Sequence, residues 1–186
     1  QCLSNFANDY GDGVKGTDNA DRVGPQRAIQ SGVISPAAMK KAIIITSILT
    51  LLSALILIYF AFGETNFIYS IIFLVLGITA IASAIRYTVG NSAYGYKGFG
   101  DIFVFVFFGL VSTLGVNFLF SKEIDPLLIL PAIAIGLLSV GVLNLNNMRD
   151  IESDAASGKK TLALRLGFKR AMVYEIVLLQ LPLLLM

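Results

Sequence analysis

Four stretches of mostly apolar residues, each about twenty residues long, constrain this chain more than any other feature, because each can cross the roughly 30 Å hydrocarbon core of a bilayer as a helix. The composition agrees, with 56% hydrophobic and 14% charged residues and a mean hydropathy of +0.78, outside the usual range of soluble domains. We therefore predict an all-α fold, a polytopic transmembrane helix bundle. The predicted spans are 42–62, 67–85, 102–120 and 127–146, with a fifth from Ala171 to Met186.

The basic residues indicate how the predicted spans are oriented. Of the 14 Lys and Arg residues, five precede the first span, two lie between the second and third, six lie between the fourth and fifth, and one, Lys122, lies between the third and fourth. The first three groups fall on one side of the membrane, and the positive-inside tendency makes that side cytoplasmic. The polar loops predicted on that side are 8–38, 86–100 and 147–170.

The chain contains one cysteine, Cys2, and no histidine. This excludes an internal disulfide, imidazole metal sites, and Ser/His or Cys/His dyads. Any metal must therefore be bound by oxygen ligands.

The first cytoplasmic loop opens with the acidic stretch "NDYGDGVKGTD". Asn8 and Asp12 are four residues apart and Asp9 and Asp12 three apart, so a helix running through them would place all three on one face. Two following glycines are predicted to end the helix and turn Asp18 back toward the other acids. These glycines are Gly13 and Gly16.

The third loop contains a second acidic stretch, "NNMRDIESD", at the end of the fourth predicted span. Asp150 and Asp154 are again four residues apart, and Asn146 and Asn147 come four and three residues before Asp150. The two acidic clusters thus end two helices on the same predicted side of the membrane.

Neighbouring carboxylates repel one another unless a cation lies between them. Mg²⁺ fits oxygen ligands, because it takes one or two carboxylates and completes its shell with water and substrate phosphate. We predict a diphosphate held between the two acidic helix ends through Mg²⁺, with its apolar tail among the helices. This favours ionisation of an allylic diphosphate in a water-free site. Basic residues that would neutralise the phosphate charge are Lys15, Arg22, Arg27, Arg149, Lys159 and Lys160.

"NDYGDGVKGTD" and "DIESD" resemble the two aspartate-rich motifs of the UbiA superfamily, intramembrane aromatic prenyltransferases that use Mg²⁺ and polyprenyl diphosphates. Three longer stretches resemble the 1,4-dihydroxy-2-naphthoate polyprenyltransferases of menaquinone synthesis. They are "QRAIQSGVIS", "YGYKGFGDIFVFVFFG" and "NNMRDIESDAASGKKTLALRLG".

The resemblance implies a bundle of eight or nine transmembrane helices in the plasma membrane of a prokaryote, with the active-site loops in the cytoplasm. Residues 1–186 are expected to be a single transmembrane prenyltransferase domain that is incomplete at both ends. The implied reaction joins a polyprenyl group to 1,4-dihydroxy-2-naphthoate, with release of pyrophosphate and CO₂, to give demethylmenaquinone. The implied partners are polyprenyl diphosphate, the aromatic acceptor and the lipid bilayer, with no nucleic acid.

Site residues follow from the same motifs. The expected catalytic residues, which also bind metal, are Asp9, Asp12, Asp150 and Asp154, and Asp18 is expected as a further metal ligand. The expected substrate-binding residues are Asn8, Lys15, Arg22, Arg27, Lys97, Asn147, Arg149 and Lys159.

The chain departs from the family pattern in two places. The acid after Asp12 comes two residues later than in many relatives, at Asp18. In the middle loop, Asn91 stands four residues after Tyr87 where a lysine is common, and Lys97 is expected to take that lysine's part. The loop around Lys97 fits a lid over the site and a plain connector equally well.

Three alternatives stay open. Another prenyltransferase of the superfamily would use a different acceptor, such as 4-hydroxybenzoate. "DYGDG" also resembles the start of the CDP-alcohol phosphotransferase motif, although Lys15 and Gly16 replace its Ala-Arg and the second acids lie far along the chain. A cation-binding membrane transporter is the alternative of another class. Against it, the predicted spans are almost free of charge inside, whereas ion pathways usually carry ionisable residues there.

Overall fold

A computed structural model describes residues 1–18, 24–63 and 65–185. Every regular element in these ranges is helical, which confirms the predicted all-α class. The chain forms two compact units. The first unit comprises residues 1–20 and 26–93, and the second comprises residues 21–25 and 94–186.

The first unit contains three helices, α1 (Cys2–Lys15), α2 (Pro36–Phe62) and α3 (Phe67–Arg86). Helix α2 begins six residues before the predicted span. The cause is local, because the Ser35 side chain caps the helix by accepting a hydrogen bond from the Ala38 N–H at 3.2 Å, and Pro36 occupies the first turn.

A stripe of residues spaced by four on α1 faces the other two helices. Leu3 and Ala7 are buried against Met39 and Ile43 of α2 and against apolar residues of α3. Gly11 continues the stripe and is also buried. This packing fixes the face of α1 on which the next residue, Asp12, lies.

The second unit begins with a 3₁₀ turn, Tyr94–Lys97. The helices that follow are α4 (Gly100–Val104), α5 (Ser112–Ser121), α6 (Ile129–Arg149), α7 (Ile151–Ala156), α8 (Leu162–Leu166) and α9 (Phe168–Leu185). They pack around α6, which contacts each of the other five. A π-helical stretch, Phe105–Val111, joins α4 to α5 without a break, and a 3₁₀ turn, Pro126–Leu128, precedes α6.

The π-helical stretch packs on α6 through glycine. A Cβ atom added to Gly109 would lie 2.5 Å from the Gly136 Cα and 2.7 Å from the Ala132 carbonyl oxygen. Small residues permit such close helix packing where both helices are surrounded by apolar material. The two backbones therefore meet without intervening side chains.

Four helical segments are long and apolar enough to cross a membrane: Pro36–Phe62, Phe67–Arg86, Gly100–Ser121 and Pro126–Arg149. They confirm the first four predicted spans, and the chain is a multi-pass membrane protein. The predicted fifth span forms α9 but is not among these segments, because α9 carries three charged residues. They are Lys169, Arg170 and Glu175.

Two acids of the second unit are buried, one just before the third predicted span and one inside the fifth. Asp101, in the first turn of the Gly100–Ser121 segment, is 9% exposed, and Glu175 of α9 is 6% exposed. Composition could not reveal this, because burial of a single acid depends on which helices pack against it.

Candidate active site in two acidic clusters

The first acidic cluster lies at the end of α1. The helix runs unbroken through Asn8, Asp9 and Asp12, as the predicted shared face requires. Of the two glycines expected to end it, Gly16 does so, in the left-handed conformation with φ 73°. Gly13 lies inside the helix, so the prediction for that residue was wrong.

The chain then turns back, as predicted, and brings Asp18 to Asp12. The N–H groups of Thr17 and Asp18 donate to the Asp12 carbonyl at 3.0 and 3.4 Å. The Arg27 Nη1 lies 3.1 Å from the Asp12 Oδ2 and 3.3 Å from the Asp18 Oδ2. Two carboxylates therefore converge on one cationic nitrogen.

Asp9 fixes the segment that carries this arginine. Its two carboxylate oxygens accept hydrogen bonds from the backbone N–H groups of Ala28 and Ile29, at 3.1 and 3.2 Å. Bonds to an ionised acceptor are stronger than those between neutral groups. In this structure Asp9 thus places Arg27 beside Asp12.

Thr88, just after α3, holds the same end of α1 from the other side, and sequence reasoning missed it. It is fully buried, and its Oγ1 donates to the Ala7 carbonyl at 2.8 Å and lies 3.3 Å from the Asn8 Oδ1. The Lys15 Nζ donates to the Thr88 carbonyl at 2.6 Å. The one signal in the sequence was a glycine inside the predicted helix, Gly11. In the structure, a Cβ on this residue would lie 2.5 Å from the Thr88 Oγ1.

The second acidic cluster contains a helix break that the spacing did not predict. Asp150 ends α6 with φ −96° and ψ 13°, although the Asp154 N–H still donates to the Asp150 carbonyl at 2.8 Å. The Asp150 carboxylate receives two hydrogen bonds from Arg149, both 2.7 Å. Asp154 is 1% exposed, and its Oδ1 lies 3.6 Å from the Lys159 Nζ. The two acids thus have different basic partners.

The middle loop is hydrogen-bonded to the segment after the second cluster. The Lys160 N–H donates to the Tyr96 carbonyl at 3.0 Å, and the Arg165 Nη2 donates to the Lys97 carbonyl at 2.7 Å. The Lys159 Nζ lies 5.6 Å from the Tyr96 ring centroid. The middle loop therefore anchors the segment that carries Lys159. The Lys97 side chain is exposed.

Tyr94, at the start of this loop, stacks on Phe103 with ring centroids 3.9 Å apart. Burial raises the pKa of the Tyr94 hydroxyl from 10.0 to about 12, because the phenolate loses hydration. Tyr94 therefore stays neutral at physiological pH.

The remaining predicted residues fall in different surroundings. Asn147 is buried, whereas Asn146 is exposed. Arg22 lies outside the described residues. Sequence reasoning also missed Asn144 and Glu175, which form a buried pair between α6 and α9 at 2.9 Å. Their one signal was an isolated acid in the apolar α9.

Two carboxylates of the first cluster could hold a metal ion together with oxygen atoms of water and substrate. Within the described part of the chain, no three Cys, Asp or Glu side chains lie close enough together to hold an ion. Mg²⁺ needs only one or two carboxylates when water and phosphate oxygens complete its shell. The Asp12 and Asp18 carboxylates, which already share one cationic neighbour, meet that requirement.

A model of the UbiA prenyltransferase family matches residues 1–186. The chain belongs to the UbiA prenyltransferase family, which confirms the resemblance drawn from its motifs. No solved structure matches the chain significantly.

Its relatives include several enzymes with one name, 1,4-dihydroxy-2-naphthoate octaprenyltransferase. The chain is 52% identical to that of Escherichia coli (strain K12) over 180 residues, covering 96% of the chain and 58% of that protein. It is 50% identical to that of Haemophilus influenzae over 179 residues, with the same two coverages. It is 41% identical to that of Mycobacterium tuberculosis over 172 residues, 92% of the chain and 56% of that protein. The chain thus spans a little over half the length of these relatives.

Proposed function

We propose that the protein transfers a polyprenyl group from polyprenyl diphosphate to 1,4-dihydroxy-2-naphthoate. The observation that carries this proposal is the 52% identity, over 96% of the chain, to an enzyme named for that acceptor. The aligned region takes in all but a few residues of the chain, so nearly all of both acidic clusters and of the middle loop is compared.

The carboxylates are the proposed ligands of Mg²⁺. Bound there with the diphosphate, Mg²⁺ neutralises the negative charge of the pyrophosphate leaving group. Asn8 and Asn147 support these ligands at their respective helix ends. In the first unit the proposed ligands are Asp12 and Asp18, and Asp9 is proposed to join them when its hydrogen bonds to Ala28 and Ile29 open. In the second unit they are Asp150 and Asp154.

The basic residues take the remaining phosphate charge. Arg27 forms an ion pair with Asp12 at 3.1 Å, and Arg149 forms one with Asp150 at 2.7 Å. When the carboxylate binds a metal instead, each guanidinium can pair with a phosphate oxygen. Lys159 is placed in the same way beside Asp154. Lys15 contributes from the end of α1, and the parts of Arg22 and Lys97 are proposed from their place in the motifs.

The reaction is an electrophilic aromatic substitution. The allylic carbon–oxygen bond breaks and pyrophosphate leaves with its electron pair. A new carbon–carbon bond to the naphthoate ring replaces the bond to the carboxylate, which leaves as CO₂. The product is the prenylated naphthalene-1,4-diol, the reduced form of demethylmenaquinone. Apolar helices around the prenyl chain keep water from the allylic cation.

The thirteen basic residues on one predicted side support an orientation in which both clusters face the cytoplasm. The bacterial relatives support the plasma membrane of a prokaryote as the location.

The test uses the full-length protein in nanodiscs with Mg²⁺ and labelled polyprenyl diphosphate. The two acceptors, 1,4-dihydroxy-2-naphthoate and 4-hydroxybenzoate, are offered in parallel, and lipid-soluble product and CO₂ are followed. We expect prenylation of the naphthoate with one CO₂ per product. Prenylation of 4-hydroxybenzoate alone would refute 1,4-dihydroxy-2-naphthoate as the acceptor. Ion flux in liposomes without any prenyl transfer would favour the transporter.

Two substitutions test the metal ligands in the same assay. Asp12→Asn and Asp150→Asn keep side-chain size but remove the charge that holds Mg²⁺, so each should lower turnover at least about a hundredfold while the protein stays folded. Glu123→Gln, at an exposed acid in the turn before α6, is the control. Near-normal turnover in either Asp variant would remove that residue from the mechanism.

A further inference from the structure

A buried polar pair joins α9 to α6 two turns before the second acidic cluster. The Asn144 Nδ2 donates to the Glu175 Oε2 at 2.9 Å and to the Ala171 carbonyl at 3.1 Å. Asn144 is 1% exposed and Glu175 is 6% exposed. The Asn144 Nδ2 also lies 3.4 Å from the Met148 Sδ of α6, and these three acceptors together fix the orientation of the amide.

Room for the acid comes from a glycine on the facing helix. The Glu175 Oε1 lies 3.2 Å from the position that a Cβ of Gly141 would occupy. An alanine there would press on the carboxylate. The carboxylate is thus seated against the backbone of α6, one turn before Asn144.

Stability alone does not account for an acid at this position. Among the described residues, the Glu175 Oε1 and the Asn144 Oδ1 are both buried without a hydrogen-bond donor. A buried carboxylate with a single amide donor is less favourable than a well-packed apolar side chain of similar volume. A buried hydrogen-bond acceptor at this position therefore calls for a role other than holding the fold together.

The Asn144–Glu175 pair lies close to the end of α6, where the second acidic cluster begins. Asn144 lies one turn before the buried Asn147, and α6 ends five residues after Asn144, at Arg149. Met148 and Ala171, which both contact Asn144, form a small buried core with Ala163. A shift of α9 at Glu175 would thus move the last turn of α6.

We propose that Glu175 is a positioning residue for the second acidic cluster. By accepting the hydrogen bond of Asn144, it fixes the rotation and height of the last turns of α6, and so the placement of Arg149 and Asp150. The consequence is tighter binding of Mg²⁺ and prenyl diphosphate. This inference rests on the proposed function of the cluster.

The test measures Mg²⁺-dependent binding of labelled prenyl diphosphate to the full-length protein in nanodiscs, together with kcat, KM and the melting temperature. Glu175→Leu removes the acceptor, whereas Glu175→Gln keeps an acceptor oxygen for Asn144. Gln180→Leu, at an exposed position of the same helix, is the matched control. The double variant Asn144→Leu with Glu175→Leu removes both polar groups and leaves neither buried without a partner.

We expect Glu175→Leu to raise the Mg²⁺ concentration for half-maximal binding, and the KM for prenyl diphosphate, about tenfold, as for other residues that orient metal ligands. Its kcat should stay within about twofold of wild type. The melting temperature of the double variant should not fall, because apolar side chains replace both members of the buried pair. Glu175→Gln and Gln180→Leu should match wild type. The double variant should show the same tenfold change as the single one, because both remove one interaction.

Four outcomes would overturn the inference. Unchanged Mg²⁺ dependence in both Leu variants would show that the pair does not position the cluster. A lower melting temperature with equal losses in kcat and binding would indicate a structural role only. A Glu175→Gln variant as impaired as Glu175→Leu would assign the effect to charge. If wild type binds prenyl diphosphate but prenylates no naphthoate, only the proposed acceptor fails, since this comparison does not use it. No Mg²⁺-dependent binding by wild type would refute both.

Discussion

Arg27 forms an ion pair with Asp12, and its Nη1 lies 3.1 Å from the Asp12 Oδ2. The Asp12 side chain is 3% exposed and that of Arg27 is 28% exposed. The same nitrogen is 3.3 Å from the Asp18 Oδ2. The guanidinium therefore relieves the repulsion between two acids, and in the proposed mechanism it turns to phosphate when a metal binds the acids.

Arg27→Gln should weaken the binding of prenyl diphosphate, and it should lower the stability of the protein when Mg²⁺ is absent. We expect the KM for prenyl diphosphate to rise about tenfold, since a charged phosphate partner is lost. Without Mg²⁺, the free energy of unfolding should fall by about 1–3 kcal/mol, because two buried carboxylates lose their cation. Melting curves in EDTA and in Mg²⁺, alongside kinetics, check both effects. Lys41→Gln, at an exposed position on α2, should change neither. Wild-type kinetics in Arg27→Gln would contradict the proposed phosphate contact.

Gly11→Ala should destabilise the first unit. The new Cβ would lie 2.5 Å from the Thr88 Oγ1 and 2.7 Å from the Thr88 backbone carbon, so α1 must move away from Thr88. Overpacking of this kind lowers the free energy of unfolding by about 1–3 kcal/mol. Gly77→Ala in α3 is the matched control, because its Cβ would make an ordinary contact at 3.8 Å. Thermal melting in detergent measures the difference. Equal melting temperatures for the two variants would show that Thr88 does not fix α1.

Tyr96→Leu should affect the second cluster through Lys159. The lysine Nζ lies 5.6 Å from the ring centroid of Tyr96 and 3.6 Å from the Asp154 Oδ1. A cation over an aromatic face contributes about 0.5–1 kcal/mol, so we expect a rise of about threefold in the KM for prenyl diphosphate. Tyr96→Phe keeps the ring and should match wild type. If the KM for prenyl diphosphate rises equally in both variants, the effect comes from the Tyr96 hydroxyl and not from its aromatic ring.

The Tyr94 pKa predicts a loss of stability at high pH. Its value is about 12 in the folded protein and 10.0 without burial, so folding favours the protonated hydroxyl. The contribution is fully present below pH 10 and is lost as the pH rises toward 12. Stability of Tyr94→Phe should therefore decline less over that range. Difference absorbance titration of the two proteins near 295 nm gives the phenolate signal directly. A difference signal with a midpoint at pH 10 would contradict burial of the hydroxyl.

The membrane-spanning segments could be predicted from the sequence because length and apolarity act locally. An apolar run of sufficient length must be a helix in hydrocarbon, where each backbone N–H finds its partner four residues away. The same locality explains why Asn8, Asp9 and Asp12 share a face and why Gly16 ends α1. The acids and their likeness to family motifs were also readable residue by residue.

Tertiary structure decided what these residues contact. The Thr88 hydrogen bond to Ala7 joins residues 81 positions apart, and the Glu175 bond to Asn144 joins residues 31 apart. The anchoring of the middle loop by Lys160 and Arg165 likewise depends on neighbours distant in sequence. The sequence by itself determined the helices and the chemistry that they carry. The tertiary structure alone decided which side chains hold that chemistry in place, because only packing brings distant residues within hydrogen-bonding distance.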